Sequence, residues 1–216
     1  MVKLTDVGFS KGLVCETIVS TYNADGSVNA APMGLKIQDE EHLTLSIFNT
    51  ASTCRNFKAK QCAAINLTHN IEVFYKSTFK EATPDGKVPS DWFVKAVVVE
   101  APKLRFAEAV IEVSAVELPS VGVDQTEFCC KVERIDSLTK YPQVYCRAMP
   151  LTVEAIIHAT RVQTFINNPQ KQQEVTELVN TIQHCADVVG RVAPNTQYTV
   201  VLVDLLERID SWRAKP

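Results

Sequence analysis

The sequence predicts an α+β protein: a mostly antiparallel β-barrel over residues 1–140, followed by a helical domain over residues 141–216. Three observations carry this. Strand-like apolar runs, each bounded by turn residues, recur up to about residue 140. Beyond that point the apolar positions fall at helical spacing. With 216 residues, 46% of them hydrophobic and 22% charged, the chain has the composition of an ordinary globular protein with a sizeable core.

The first two strands are expected at 13–23 and 27–37, joined through Asp25-Gly26, a dipeptide suited to the positive φ angles of a type I′ turn. That register sets Ile18 opposite Met33. Further strands are expected at 42–48, 62–68, 94–100, 104–118 and 127–137. Five to seven strands of this kind are enough to form a barrel. Between the third and fourth, NTASTCRNFKAK (49–60) reads as a short helix with Ser52 or Thr53 as its N-cap. The polar stretch EATPDGKVPSDW (81–92) reads as an exposed loop with a second capping position at Ser90 or Asp91.

Three helices follow. Leu151 to Ile166 supplies the first and Thr196 to Ile209 the last. Between them, Asn168-Pro169 places proline at a first helical position and Gly190 stands where a C′ glycine belongs. Val175, Leu178, Val179, Ile182, Ala186 and Val189 repeat at helical spacing within those limits.

The formal charge of −3, with no lysine-arginine cluster, argues against nucleic acid or an anionic membrane as partner. No apolar run approaches a membrane span and the N-terminus lacks a signal-peptide pattern, so a cytoplasmic protein is expected. The seven cysteines, including Cys146, are scattered and read as small hydrophobes in a reducing compartment; Cys129 and Cys130 should point to opposite faces of their strand. The four histidines are too far apart in sequence to form a metal set, and none is expected.

Two stretches could carry chemistry. At the start of the 49–60 helix, Ser52, Thr53, Arg55 and Asn56 would surround free backbone N–H groups with hydroxyl, guanidinium and amide donors, a set that fits a phosphate. The same residues also fit a plain capping sequence with a solvated arginine. The second stretch is NAAPMGL (29–35), whose alanines, proline and glycine are poor strand formers. Small residues there would let a flat ring approach the backbone closely, and a bulged edge strand would use them equally well. His158 with Arg161, and Asp204 with Glu207 and Asp210, share helix faces and read as packing and solvated positions.

In order and spacing, ETIVSTYNADGSVNAAPMG, STCRNF, AAINLTHN and CRAMPLTVEAIIHATRV resemble an uncharacterised family of archaeal and bacterial proteins known only as a domain of unknown function. The resemblance spans nearly the whole chain. It implies an FMN-binding split β-barrel, related to the flavin reductase and pyridoxamine phosphate oxidase groups, with a helical C-terminal part. It also implies a homodimer with FMN at the subunit interface and, for a reductase, NADH or NADPH as electron donor. By the same resemblance Ala31, Pro32, Met33 and Gly34 would run beside the isoalloxazine ring. Ser52, Thr53, Arg55 and Asn56 would hold the phosphate, and Asn66 and Thr68 would reach the ribityl chain or ring. No catalytic acid or base is implied, because the redox chemistry belongs to the cofactor. A non-enzymatic FMN carrier, an interaction protein, and a barrel that binds another phosphorylated ligand remain readings of the same sequence.

Overall fold

The computed structural model describes residues 2–9, 14–119, 124–137 and 148–214. Cys146, residue 13 of the first expected strand and the expected domain boundary at 140/141 lie outside the described residues. The chain divides into two compact units. One holds the residues up to His69 and those from Lys76 through the last strand; the other joins Asn70–Tyr75 to the C-terminal helices.

Six antiparallel strands close the barrel of the first unit in the order β1-β2-β3-β8-β7-β4. They are β1 (Val14–Tyr22), β2 (Val28–Ile37), β3 (His42–Phe48), β4 (Cys62–Leu67), β7 (Ala109–Glu117) and β8 (Gln125–Ser137). A separate two-stranded sheet pairs β5 (Phe93–Lys95) with β6 (Pro102–Leu104). The barrel interior is filled by Val19, Leu35, Leu43, Leu45, Ile47, Ile65, Ile111, Val113 and Phe128, among others. Helix α1 (Ser52–Lys60) adds Cys54 and Phe57 to this core, and the Phe57 ring lies 5.0 Å from that of Phe128. Cys130 points inward and is fully buried, which pushes its thiol up to about 12, while Cys129 is half-exposed.

The first hairpin differs from expectation by one residue: Ile18 faces Pro32, and Met33 faces Thr17. The cause is the turn. Asn23 N donates to Ser27 O at 2.9 Å, leaving a three-residue loop in which only Gly26 has a positive φ, +80°. Asp25 takes both the amide and the hydroxyl of Ser27 (2.9 and 2.6 Å) instead of adopting the left-handed conformation a type I′ turn requires. Because strand side chains alternate, that slip reverses the face of every residue in β2 relative to β1.

The run 94–100 is not one strand. After Lys95 the chain turns so that three consecutive amides, those of Val97, Val98 and Val99, donate to the buried Glu112 carboxylate of β7. The expected strand 104–118 is likewise divided, into β6 and β7. Strand β7 shifts register against β8 after Glu112, so that Glu133 is bulged.

Helix α2 (Ile71–Thr78) lies in a stretch for which no element was expected; the Asn70 side chain accepts from Glu72 N at 3.0 Å at its start. In the second unit, α3 (Ala148–Phe165), α4 (Gln172–Val192) and α5 (Gln197–Arg213) pack on one another. Their buried positions recur at three- and four-residue spacing, as at Ala148, Thr152, Ala155, Ala159 and Val162 of α3. Pro169 opens a 3-10 turn that leads into α4, with Asn168 accepting from Gln170 N. Gly190 does not end α4, which continues through it to Val192.

Candidate functional site

Helix α1 is capped by Ala51, whose extended backbone supplies no side-chain bond, so neither Ser52 nor Thr53 is the expected N-cap. Both sit in the first turn and turn to opposite sides. Ser52 Oγ accepts from Arg55 Nη2 at 2.9 Å on the exposed side of the helix. Thr53 is buried and its Oγ1 accepts from Asn29 Nδ2 at 3.0 Å. Asn56, one turn later, is buried too, and its Nδ2 donates to Thr21 Oγ1 (2.9 Å) and Asn23 Oδ1 (3.0 Å). The four residues expected to act together therefore divide into two pairs. Ser52 and Arg55 present donors outward, and Thr53 and Asn56 tie α1 to the β1–β2 hairpin.

Ser52, Arg55 and one edge of Asn56 line a concavity of about 510 Å³ with Tyr22, Asn23, Asp25 and Lys60. Asp25 adds a negative charge to its rim, and the Ser27 hydroxyl and amide hold that carboxyl below the usual range.

Strand β2 passes close by. It pairs with β3 only at Lys36–Thr44 and Ile37–Leu43, so among the described residues Val28–Leu35 has a strand neighbour on the β1 side alone. Counting alternately from the bonded pair Asn23–Ser27, Pro32 falls in a non-bonded pair with Ile18, and its missing N–H would have faced the open edge. Gly34 lies in extended backbone that any residue can adopt, so its conformation does not call for glycine. Ala31, Pro32, Met33 and Gly34 are all half-buried.

Asn29, two residues before Ala31, connects the stretches. Its Nδ2 donates to Thr53 and, at 3.2 Å, to Thr21 Oγ1, while its Oδ1 accepts from Lys80 Nζ at 2.6 Å. Asn29 thus ties β2, two residues ahead of Ala31, to the first turn of α1 and to Lys80. The sequence reading missed Thr21, Asn29 and Lys80. The correct register sets Thr21 opposite Asn29, two polar residues at neighbouring positions on one face; the register expected from the sequence set Thr21 opposite Ala30.

Asn66 is placed differently. It is fully buried, its Nδ2 donates to Ile18 O (2.8 Å), Ser20 Oγ (2.9 Å) and Ala64 O (3.2 Å), and its Oδ1 accepts from Leu104 N (2.8 Å). Its amide is spent on joining β4, β1 and β6. Thr68 is half-buried just past the end of β4. In the second unit, His158 Nε2 lies 3.2 Å from Glu154, and Asp204 accepts from Arg208 Nε at 2.9 Å. Among the described residues no three His, Cys, Asp or Glu side chains are grouped to hold a metal ion, and no helix is long and apolar enough to cross a membrane.

A family model described as the N-terminal domain of a protein of unknown function (DUF447) matches residues 15–154. No curated protein matches the chain. Among solved structures, an FMN-bound DUF447 protein from Methanosarcina mazei superposes with a TM-score of 0.76 at 20% identity, covering 95% of this chain and 99% of that one. A protein provisionally named a flavin reductase with a split-barrel domain, from Shewanella frigidimarina, gives 0.50 at 12% identity over 64% of this chain and 76% of its own. At these identities the likeness is one of fold.

Proposed function

The chain belongs to the DUF447 N-terminal-domain family, and from that premise we propose that it is an FMN-binding flavoprotein, an oxidoreductase that draws electrons from NADH or NADPH. The observation that carries this reading is the tie, through Asn29 and Thr53, between a strand whose edge is unpaired among the described residues and the uncapped start of α1. The FMN-bound protein from Methanosarcina mazei, alike in fold over nearly its whole length, supports it.

The residues present fit the cofactor. Ala31, Pro32, Met33 and Gly34 offer a surface without bulky outward side chains against which a flat ring can lie. Edge backbone groups there have no strand partner among the described residues and can bond the ring's polar rim. Ser52 and Arg55 supply a hydroxyl and a guanidinium for the phosphate, in a concavity of the size small-molecule sites take. Thr53 and Asn56 act from behind, fixing α1 against β1 and β2 so that those donors are held ready. Thr68 is assigned to the ribityl side, and Asn66 to holding the strands beneath it. Bound FMN supplies two-electron chemistry, and the chain's part is to bind, orient and shield it. Two copies of the chain would share the flavin between them.

Flavin titration by absorbance and fluorescence tests the reading. Arg55→Ala should weaken FMN by about 10- to 100-fold, the cost of a hydrogen bond between charged groups, and leave riboflavin binding unchanged. Wild-type protein that retains no flavin after addition and desalting would overturn the proposal, and equal losses for both ligands would remove Arg55 from the phosphate.

A further inference from the structure

Lys80 stands outside every motif in the sequence. It opens a 3-10 turn, Lys80–Ala82, at the start of the 81–92 loop. That turn is firmly built: Thr83 Oγ1 donates to Lys80 O and Lys87 O, both at 2.6 Å, and the preceding Phe79 is buried. From it the lysine side chain reaches inward to Asn29 Oδ1. Among the described residues no carboxylate lies within ion-pair distance of its ammonium, whose one resolved partner is a neutral amide. Burial draws the amine below its usual range, as desolvation of an uncompensated cation must.

An unbalanced, half-buried cation is costly, and groups perturbed in this way cluster at functional sites. Asn29 links this ammonium directly to Thr53 in the first turn of α1. The FMN of the proposed function carries formal charge at its phosphate, whereas its oxidised ring is neutral. We propose that Lys80 is a specificity-determining residue of the flavin site, pairing with the ligand's phosphate and so selecting FMN over riboflavin. This rests on the FMN reading for the ligand's identity, but the anion preference belongs to Lys80 itself. In the proposed function Arg55 would meet the phosphate from the exposed side of α1 and Lys80 from the side of Thr53, and the two cations together would match a dianion.

The experiment uses the full chain with Lys80→Met and Lys80→Arg. The methionine keeps most of the apolar stem and removes the charge, and the arginine restores it. Lys80→Met should lose about 10- to 100-fold in FMN affinity with riboflavin affinity unchanged, and Lys80→Arg should recover most of the loss. A Lys80→Met protein that binds FMN as wild type does, or that loses both flavins equally, overturns the proposal. A second measurement does not depend on flavin. With reductively ¹³C-methylated protein, the resonance missing from Lys80→Arg identifies Lys80, and its titration is followed with and without inorganic phosphate. An upward displacement of that titration in phosphate supports the proposal even if wild-type protein rejects FMN and the flavin reading falls; an unmoved titration, with phosphate saturating, overturns it.

Discussion

Glu112→Gln tests the energetics of the barrel most directly. Glu112 is fully buried on β7. Its Oε1 accepts from Val97 N (2.8 Å) and Lys103 Nζ (3.2 Å); its Oε2 accepts from Val98 N (2.6 Å) and, more weakly, Val97 N and Val99 N. Glutamine keeps the shape but replaces one acceptor oxygen with a donor, which must then face a backbone N–H. At least one buried amide is left unsatisfied, at about 1–3 kcal/mol, and the bonds that survive lose their charge assistance. Lys103 keeps Asp136 as a partner at 3.3 Å, which limits the penalty on its side. The expected loss is about 3–5 kcal/mol, the range found when one member of a buried ion pair is removed. Urea unfolding would measure it, and hydrogen exchange at Val97, Val98 and Val99 would locate it. A loss under about 1 kcal/mol, with those amides still protected, would refute the reasoning.

The pH dependence has a definite sign. Burial by itself raises the Glu112 carboxyl, but the Val97 and Val98 amides and Lys103 outweigh it and hold the group below its usual range. A carboxyl depressed in the folded state contributes stability that is present above the unfolded value, about 4.3, and is lost as pH falls through the folded value. The acid limb of the wild-type stability curve should therefore be steeper than that of Glu112→Gln. Parallel limbs would mean that other carboxylates govern acid unfolding.

Two further substitutions separate structure from ligand binding. A Cβ on Gly190 would meet nothing within 4 Å in the interior of α4, so Gly190→Ala should stabilise the protein by about 0.5–1 kcal/mol in thermal or urea unfolding, and destabilisation would contradict the helix assignment there. Asn66→Ala should cost about 2–3 kcal/mol by stranding Leu104 N and the acceptors of β1 and β4, with FMN affinity unchanged in the folded fraction. Weaker FMN at unaltered stability would return Asn66 to the ligand.

How far the sequence could be read depended on whether the deciding interaction was local. Helix α4 was legible because its period lies within it and its start signals, Asn168 and Pro169, stand in the turn just before it. The pair Ser52 and Arg55 was legible for the same reason, being three residues apart on one helix face. The β1–β2 register was missed by one because Asp-Gly fits two turn types, and the choice falls to the hydroxyl and amide of Ser27 competing for Asp25. Lys80 gave no signal at all: its partner Asn29 is 51 residues distant, and only the fold joins them.

The misread strand at 94–100 has a deeper cause. Val94, Val97 and Val98 lie in the apolar run expected as a strand, yet they are exposed at 37%, 60% and 54%, while the polar Ser20, Asn66 and Glu112 are fully buried. Register explains the inversion. Ser20 faces Ala64 across β1–β4, Ala64 faces Glu112 across β4–β7, and Asn66 bonds Ser20 from the adjacent position, so the three polar residues cluster on one outer patch of the barrel. Each holds the same overlying segment by its backbone: Ser20 Oγ donates to Pro102 O, Asn66 accepts from Leu104 N, and Glu112 accepts from the amides of Val97 to Val99. From Val97 to Val99 the segment needs no strand partner because the Glu112 carboxylate satisfies its amides, and Val97 and Val98 are left exposed. Strands β4 and β7 are then largely buried on both faces, so their apolar runs are nearly continuous, and a polar residue within such a run marks where another segment is tied down.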